Sequence, residues 1–392
     1  MAEKKKLLVT ASTFPRWEGD TEPRFVLDLA KSLLPYFDVT VLVPSAPGAK
    51  HKETLEGVKV IRYRYFPVRK WETLCYPGAI VPRIREKKIR IFLVPFLLLA
   101  LIGNLWRLSK HFDVVHAHRL IPQGVMQSFF GTPYLVTGHG TDVTGLNFWP
   151  MTALKKRCLQ KAAAVTVVSK HLKGITDKLS RKNARILPMG CDTGKFGREH
   201  RKENLFGQNR EKVVLFVGRL VEVKGVTYLI EAMKHVDAQL VIVGKGPLEN
   251  SLKEQASPLG DKVRFLGGKS HQELVEIYAS SDVFVAPSVT DSDGAAEGFG
   301  LVIIEAMASG LPVIASDSGG IRDIVTDKKN GLLVPEKDSE ALAGAINCLL
   351  EDEELCLTYA EEARVKASQY DCEAVGKRYA KLLNACITDK RD

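Results

Sequence analysis

The 392-residue chain has few cysteines, and the seven it has lie far apart, at Cys75, Cys158, Cys191, Cys348, Cys356, Cys372 and Cys386. They make no C-x-x-C pair and no Cys/His cluster at zinc-ligand spacing. This excludes a disulfide scaffold and a zinc-finger module, and it reads as reduced thiols in a cytoplasmic protein. No targeting segment is expected: MAEKKKLLVTAS offers about five apolar residues before Ser12, where a signal peptide needs ~7–15. No uninterrupted apolar run reaches the ~18–20 residues of a membrane span. The longest, Ile91 to Gly103, counts 13 residues and is broken by Pro95, which predicts a buried or interfacial helix. Long polar tracts and collagen-like or heptad repeats are lacking as well. Apolar residues at 45% and charged residues at 26% are those of a globular chain, long enough for two domains with cores of their own.

Charge is present in excess and unevenly. Residues 1–210 carry a formal +20 and residues 211–392 a formal −10, which together give the chain's +10. The basic excess gathers at Arg62–Lys70, at Arg83–Arg90 and between Lys155 and Arg185. Such a field favours an anionic partner. The cluster Arg83, Arg85, Lys87, Lys88 and Arg90 runs directly into the Ile91–Trp106 stretch, a pattern that fits an interfacial anchor on acidic lipid. Solvated charges beside a core helix would give the same run, so both readings stand. No aromatic single-strand platform or recognition motif accompanies the basic clusters, so no nucleic acid is expected as a partner.

Short β-branched runs followed by turn residues and helical patterns recur throughout. KLLVTA, DVTVLV, DVVHA, PYLVTG and AVTVVS predict strands in the first half, and KVVLFVG, QLVIVG, KVRFLG, DVFVAPS and PVIAS predict strands in the second. Near-continuous apolar strands separated by helix-length segments indicate parallel sheets covered on both faces. The polar, glycine-interrupted stretch from Asp192 to Lys212 reads as a linker. The expected class is α/β, with two doubly wound domains facing a central cleft and binding ligands at the carboxyl ends of their strands.

Candidate site residues follow those strand ends. In PSVTDSDGAAEGFGLVIIEAMASGLPVIAS a helix is predicted from about Phe299 to Gly310. Gly298 and Gly300 leave the amides at its start unshielded, a ready anion site. Glu297 precedes the helix and Glu305 lies eight positions on; at ~1.5 Å per residue the pair spans at most roughly 12 Å, the scale of a sugar joined through a diphosphate to a ribose. In LFVGRLVEVKG, Arg219 and Lys224 follow a strand and could neutralise a diphosphate, one as a fork and one as a point charge. In VTGHGTDVTG, His139 stands between glycines after a strand and could bond a sugar hydroxyl. His116 and His118 alternate on one strand without an evident third metal ligand, and read as structural. Loops at Gly244–Leu248 and Leu266–Gly268 are candidates for recognising a base through their backbone.

GRLVEVKG, EGFGLVIIEAMASGLPVIASDSGGIRDIV and NGLLV, in this order and together with HAHRLIPQG and TGHGTD, resemble the retaining nucleotide-sugar glycosyltransferases of family 4 over essentially the whole chain. Glu297 and Glu305 match that family's E-x7-E motif residue by residue. The resemblance implies the GT-B fold: a Rossmann-like acceptor-side domain over 1–191, a linker over 192–212, a Rossmann-like donor domain over 213–369, and a terminal helix over 370–392 that returns to the first domain. It implies that Arg219 and Lys224 bind the donor diphosphate and that Glu305 holds the ribose. Glu297 and the amides of Gly298, Phe299 and Gly300 would contact the donor sugar, with His139 beside the sugar and the attacking hydroxyl. Neither metal nor cofactor is implied beyond the nucleoside-diphosphate sugar; Asp291-Ser292-Asp293 has the spelling of a D-x-D motif but lies in the loop feeding the glutamate motif. The first loop departs from the family's paired glycines and supplies only Gly19, beside Arg16, Trp17 and Asp20. Tyr370 stands where the family tends to have Trp or Phe before the last helix. The implied activity is hexosyl transfer from a UDP- or GDP-sugar to a hydroxyl of a glycan, lipid-linked or membrane-surface acceptor. A non-catalytic nucleotide-sugar binder on the same fold is the alternative. The expected location is cytoplasmic, peripheral at the inner face of a membrane.

Overall fold

The computed structural model describes residues 3–78, 80–207, 212–291 and 294–388. The chain forms two compact units, one of residues 1–190 with 372–392 and one of residues 191–371. The first is built on β1 (Lys5–Thr10), β2 (Phe37–Pro44), β3 (Lys52–Leu55), β4 (Val58–Tyr63), β5 (Val114–His118), β6 (Tyr134–Gly138), β7 (Ala164–Val167) and β8 (Arg185–Ile186), in the order β3-β4-β2-β1-β5-β6-β7-β8. Every pairing is parallel except β3 with β4. The five expected runs are β1, β2, β5, β6 and β7, which are buried nearly throughout because helices cover both faces. The edge strands β3 and β8, and β4 beside β3, lack that signature. In β4 the basic residues Lys59 and Arg62 interrupt the apolar pattern, and β8 is two residues long.

Arg62 is not available to an anionic partner from outside. It is buried, donating to the carbonyls of Pro15 at 2.8 Å and Lys50 at 3.1 Å and pairing with Glu53, so it ties the first loop to the sheet edge. Arg83 and Arg90 also serve the fold: Arg83 donates to the Thr73 carbonyl, and Arg90 to the Arg83 carbonyl and Glu86. The exposed members of that cluster are Arg85, Lys87 and Lys88.

The apolar segment is longer than its sequence run suggests. Helical geometry is continuous over 24 residues, Lys88–His111, long and apolar enough to cross a membrane. Pro95 does not break it, since the α-helix proper is Val94–Leu108 and a proline in the first turn removes no intrahelical bond. This helix packs a single stripe, Leu93, Leu97, Leu101 and Leu105, into the first unit. Ile89, Ile91, Phe92, Phe96, Leu99 and Trp106 remain exposed. The terminal helix Cys372–Thr388 belongs to the same unit and buries Val375, Tyr379, Leu382 and Leu383; Tyr379 Oη donates to the Leu187 carbonyl at 2.7 Å.

The second unit holds β9 (Val213–Val217), β10 (Gln239–Val243), β11 (Val263–Gly267), β12 (Val283–Ala286), β13 (Val313–Ser316) and β14 (Leu332–Val334), all parallel, in the order β11-β10-β9-β12-β13-β14. The described residues of the expected linker, 192–207 and 212, form part of this unit. Arg198 donates to the carbonyls of Ser281 at 2.9 Å and Gly310 at 3.0 Å, and Thr193 Oγ1 donates to Asp371 at 2.8 Å. Residues 208–211 of that stretch lie outside the described residues.

The terminal helix meets the helix Phe25–Ser32 through Gly376, where a Cβ would run into the side chain and carbonyl of Ser32. Gly376→Leu is therefore expected to overpack this contact and cost about 1–3 kcal/mol, read as a lower midpoint in urea with an unchanged slope. An unshifted midpoint would mean that the two helices do not bear on each other there.

Candidate active site

In the second unit the carboxyl ends of adjacent strands are stitched together by backbone bonds. Gly218 N donates to the Val243 carbonyl at 2.9 Å, Leu220 N to Lys245 at 3.0 Å and Gly244 N to Gly267 at 2.8 Å. The turn at Gly244–Leu248 thus lies directly beside the loop that carries Arg219, whose side chain is exposed, and the turn at Leu266–Gly268 lies beside Gly244 in turn. Lys224 ends the short turn Glu222–Lys224, which is held to the exit of β12 by Val289 N donating to the Val223 carbonyl at 2.9 Å. Gly225 follows at φ +62°, and a Cβ there would overlap the Pro287 carbonyl oxygen. Only glycine combines that left-handed backbone with so close an approach.

This packing brings Lys224 to Glu297. Their side chains form an ion pair that is largely buried, with 18% and 16% of each exposed. Burial opposes ionisation of Glu297, but the Lys224 ammonium and the amides of Phe299 and Gly298 overcome it, holding the carboxyl below its ordinary range. Two of the three amides expected to meet a ligand are thus engaged by the glutamate's own carboxylate. Gly300, at φ +94°, caps the helix Leu301–Ala308, shorter than the predicted Phe299–Gly310 because the turn at Gly298–Gly300 is not helical. Glu305 lies within that helix and accepts from Tyr278 Oη at 2.9 Å. Burial, then Glu305 itself, push the Tyr278 phenol well above its usual range, so it stays a donor.

Sequence reasoning missed the supports of this loop. Gly320 N donates to the Glu297 carbonyl at 2.8 Å, and a Cβ on Gly319, at φ +49°, would overlap that same carbonyl. Glu336 accepts from Thr290 N at 2.6 Å and Thr290 Oγ1 at 3.0 Å. The paired glycines of SDSGGIRD were the available signal, whereas Glu336 in a polar turn gave none. Phe299 makes an edge contact with Tyr370, 5.4 Å between centroids. Asp291 lies at the start of the same loop, and Ser292 and Asp293 fall outside the described residues. Among the described residues no group of three or more His, Cys, Asp or Glu could hold a metal ion.

The first unit places His139 after β6, where its Nε2 lies 3.1 Å from His118 Nδ1. His116, read with His118 as merely structural, bonds Thr137 Oγ1 at 2.8 Å and stacks on His118 at 4.1 Å. Asp142 braces the turn, accepting the amides of His139 and Gly140 at 3.0 Å each and that of Leu120 at 2.9 Å. Lys155 is fully buried; it donates to the carbonyls of Val143 and Gly145 and to Asn147 Oδ1, and burial pulls its ammonium below the usual lysine value. Gly19 sits on an exposed turn at φ +80° with open space around it, in a loop clasped by Arg16 and Asp20 at 2.8 Å.

Gly319→Ala is expected to displace the Glu297 carbonyl or strain the backbone at a left-handed position. The cost of about 1–3 kcal/mol should appear as a drop of several degrees in thermal midpoint. An unchanged midpoint would show that the loop yields freely.

Two family models match the chain: Glycosyltransferase Family 4 over residues 23–195 and Glycosyl transferases group 1 over residues 197–366. A phosphatidyl-myo-inositol mannosyltransferase of Mycolicibacterium smegmatis is 30% identical over 71% of this chain and 72% of its own. Among solved structures, a sucrose-phosphate synthase of Thermosynechococcus elongatus superposes with a TM-score of 0.80 at 24% identity, covering 98% of this chain and all of that one. Anabaena Alr3699/HepE, solved in complex with UDP-glucose, gives 0.75 at 20% identity over 97% of this chain and 100% of its own. With its two parallel α/β sheets and an E-x7-E segment on the second, the chain belongs to glycosyltransferase family 4, the GT-B transferases that move sugars from nucleotide-sugar donors.

Proposed function

We propose that the protein is a retaining hexosyltransferase, working without metal, that moves a hexose from a UDP- or GDP-sugar to a hydroxyl of a lipid-linked or membrane-surface glycan. The observation that carries this reading is the Lys224–Glu297 pair beside exposed Arg219. A diphosphate entering there takes over the Lys224 ammonium, and Arg219 adds a second cation to it. Glu297, released from its partner, turns to the donor sugar. As the glycosidic bond breaks, negative charge gathers on the leaving diphosphate, where the two cations stabilise it, while the carboxylate favours positive character at the anomeric carbon. The acceptor hydroxyl attacks from the face the diphosphate leaves, which keeps the configuration. Glu305, already hydrogen-bonded to Tyr278, is assigned to the ribose hydroxyls, and His139 to the donor sugar. Anabaena Alr3699/HepE was solved with UDP-glucose, which supports a nucleoside-diphosphate hexose as the donor class.

The test is a thermal-shift panel of UDP, GDP, ADP and their hexose conjugates, without added metal. A nucleotide at a hundred times its dissociation constant stabilises by about 2.7 kcal/mol. One base should shift the wild type and fail to shift Arg219→Ala. Glu297→Ala should lose sugar transfer and keep the nucleotide shift; an equal loss of nucleotide binding in that variant removes its sugar contact. A panel that shifts neither wild type nor variant favours the non-catalytic reading.

The acceptor side rests on the apolar helix of the first unit. Phe92, Leu99 and Trp106 are 72%, 67% and 69% exposed, and Trp71, stacked on Phe66, adds a further exposed ring. Arg69, Lys70, Arg85, Lys87, Lys88, Arg107 and Lys110 are exposed around them. An apolar face within a basic rim is complementary to an anionic lipid surface, each cation contributing about 1 kcal/mol near it. With one stripe of the helix packed in the core, the segment lies on the membrane rather than across it, on its cytoplasmic side. A phosphatidyl-myo-inositol mannosyltransferase among the relatives is consistent with a lipid acceptor. Cosedimentation with phosphatidylglycerol vesicles should weaken with salt and fall sharply in the triple variant Phe92→Ser, Leu99→Ser, Trp106→Ser. Wild-type protein that stays in the supernatant at low salt would remove this surface.

A further inference from the structure

The histidines of the first unit are arranged in a way that decides where the proton of His139 sits. A neutral imidazole carries one N–H, so the 3.1 Å contact between His118 Nδ1 and His139 Nε2 must pair one N–H with one lone pair. If His139 Nε2–H donates, the proton of His118 is left on its other nitrogen. That atom, His118 Nε2, is sealed from solvent with no hydrogen-bond partner among the described residues. A sealed N–H without an acceptor is the rarer and costlier orphan. The arrangement that avoids it puts the proton of His118 on Nδ1, donating to His139 Nε2, and leaves a bare lone pair in the sealed position.

His116 obeys the same rule. Its Nδ1 is also sealed and unpartnered, so its proton lies on Nε2, aimed at Thr137 Oγ1. Burial, reinforced by neighbouring histidines and by Arg119 beside His118 and His139, holds all three rings well below the usual histidine value, which keeps them neutral. Asp142 does not intervene: among the described residues its carboxylate accepts the amides of Leu120, His139 and Gly140, with no bond to the ring of His139.

We infer that His118 is a positioning residue that holds His139 as its Nδ1–H tautomer, so that His139 meets its ligand as a hydrogen-bond donor and not as a base. The Nδ1 of His139 has no partner among the described residues, and the ring, flanked by Phe25 at 5.3 Å, is only part-buried. It offers an N–H to the lone pair of a hydroxyl or to an oxyanion. It takes no proton from an attacking hydroxyl, which leaves the departing diphosphate as the proton's destination. This inference rests on the assignment of His139 to the donor sugar.

The test reads the tautomer directly. Long-range 15N–1H correlation spectra of the full-length wild type at neutral pH, with the ring assigned through His139→Asn, should give a pyrrole-type Nδ1 and a pyridine-type Nε2 for His139. The reverse pattern overturns the inference. His118→Leu removes the donor and should mix the His139 tautomers; turnover should fall by roughly tenfold to a hundredfold, as for other lost partners of a functional histidine, with nucleotide affinity unchanged. His118→Asn places an amide donor near the old Nδ1 and should restore the tautomer and most of the turnover. If His118→Leu leaves tautomer and turnover as they were, His118 positions nothing. If the tautomer is as stated but His139→Ala transfers sugar normally, the assignment of His139 to the donor site fails instead.

Discussion

The second unit depends on one close backbone approach. Gly225 lies against the Pro287 carbonyl oxygen, where no side chain fits, and that approach lets the loop after β9 touch the exit of β12. Lys224 thereby reaches a glutamate 73 positions away in sequence. The same economy of space recurs at Gly319, beneath the Glu297 carbonyl. Backbone atoms thus hold the loops that carry Lys224 and Glu297.

In the resting site the charges are satisfied internally. The Glu297 carboxylate accepts from Lys224 and from the amides of Gly298 and Phe299, which would otherwise be a bare cation and a bare helix start. A partly buried charge without a partner is costly. Here the Glu297 carboxylate supplies the partner for both, and in the proposed reaction that pairing is exchanged for the donor diphosphate.

The first unit uses its basic residues differently from what their number suggests. Arg62, Arg90 and Lys155 are buried and spend their donors on backbone carbonyls and nearby carboxylates. They brace the loops after β1 and β6 and the entry to the apolar helix. Of the cations left at the surface, Arg69, Lys70, Arg85, Lys87, Lys88, Arg107 and Lys110 lie on the segments that carry Trp71, Phe92, Leu99 and Trp106, while Lys156, Lys161, Lys170, Lys178, Arg181 and Arg185 are exposed elsewhere on the same unit.

By itself the sequence determined the two-sheet α/β class and ten of the strands, because central parallel strands buried on both faces must be apolar nearly throughout. It also pointed to Arg219, Lys224 and Glu297 as candidates, since polar residues shortly after such strands lie at one rim of the sheet. The edge strands β3, β8 and β14, and β4 beside β3, were not legible, because short or charge-interrupted strands at or beside an edge carry no continuous apolar run. The length of the helix around Pro95 was not legible either, because whether a proline ends a helix depends on which turn it occupies. Tertiary structure alone decided that Lys224 pairs with Glu297, that Arg62 is buried, that residues before β9 fold onto the second unit, and that His118 touches His139. Each depends on which strands become neighbours and how closely their loops approach, and no local pattern of residues encodes that distance.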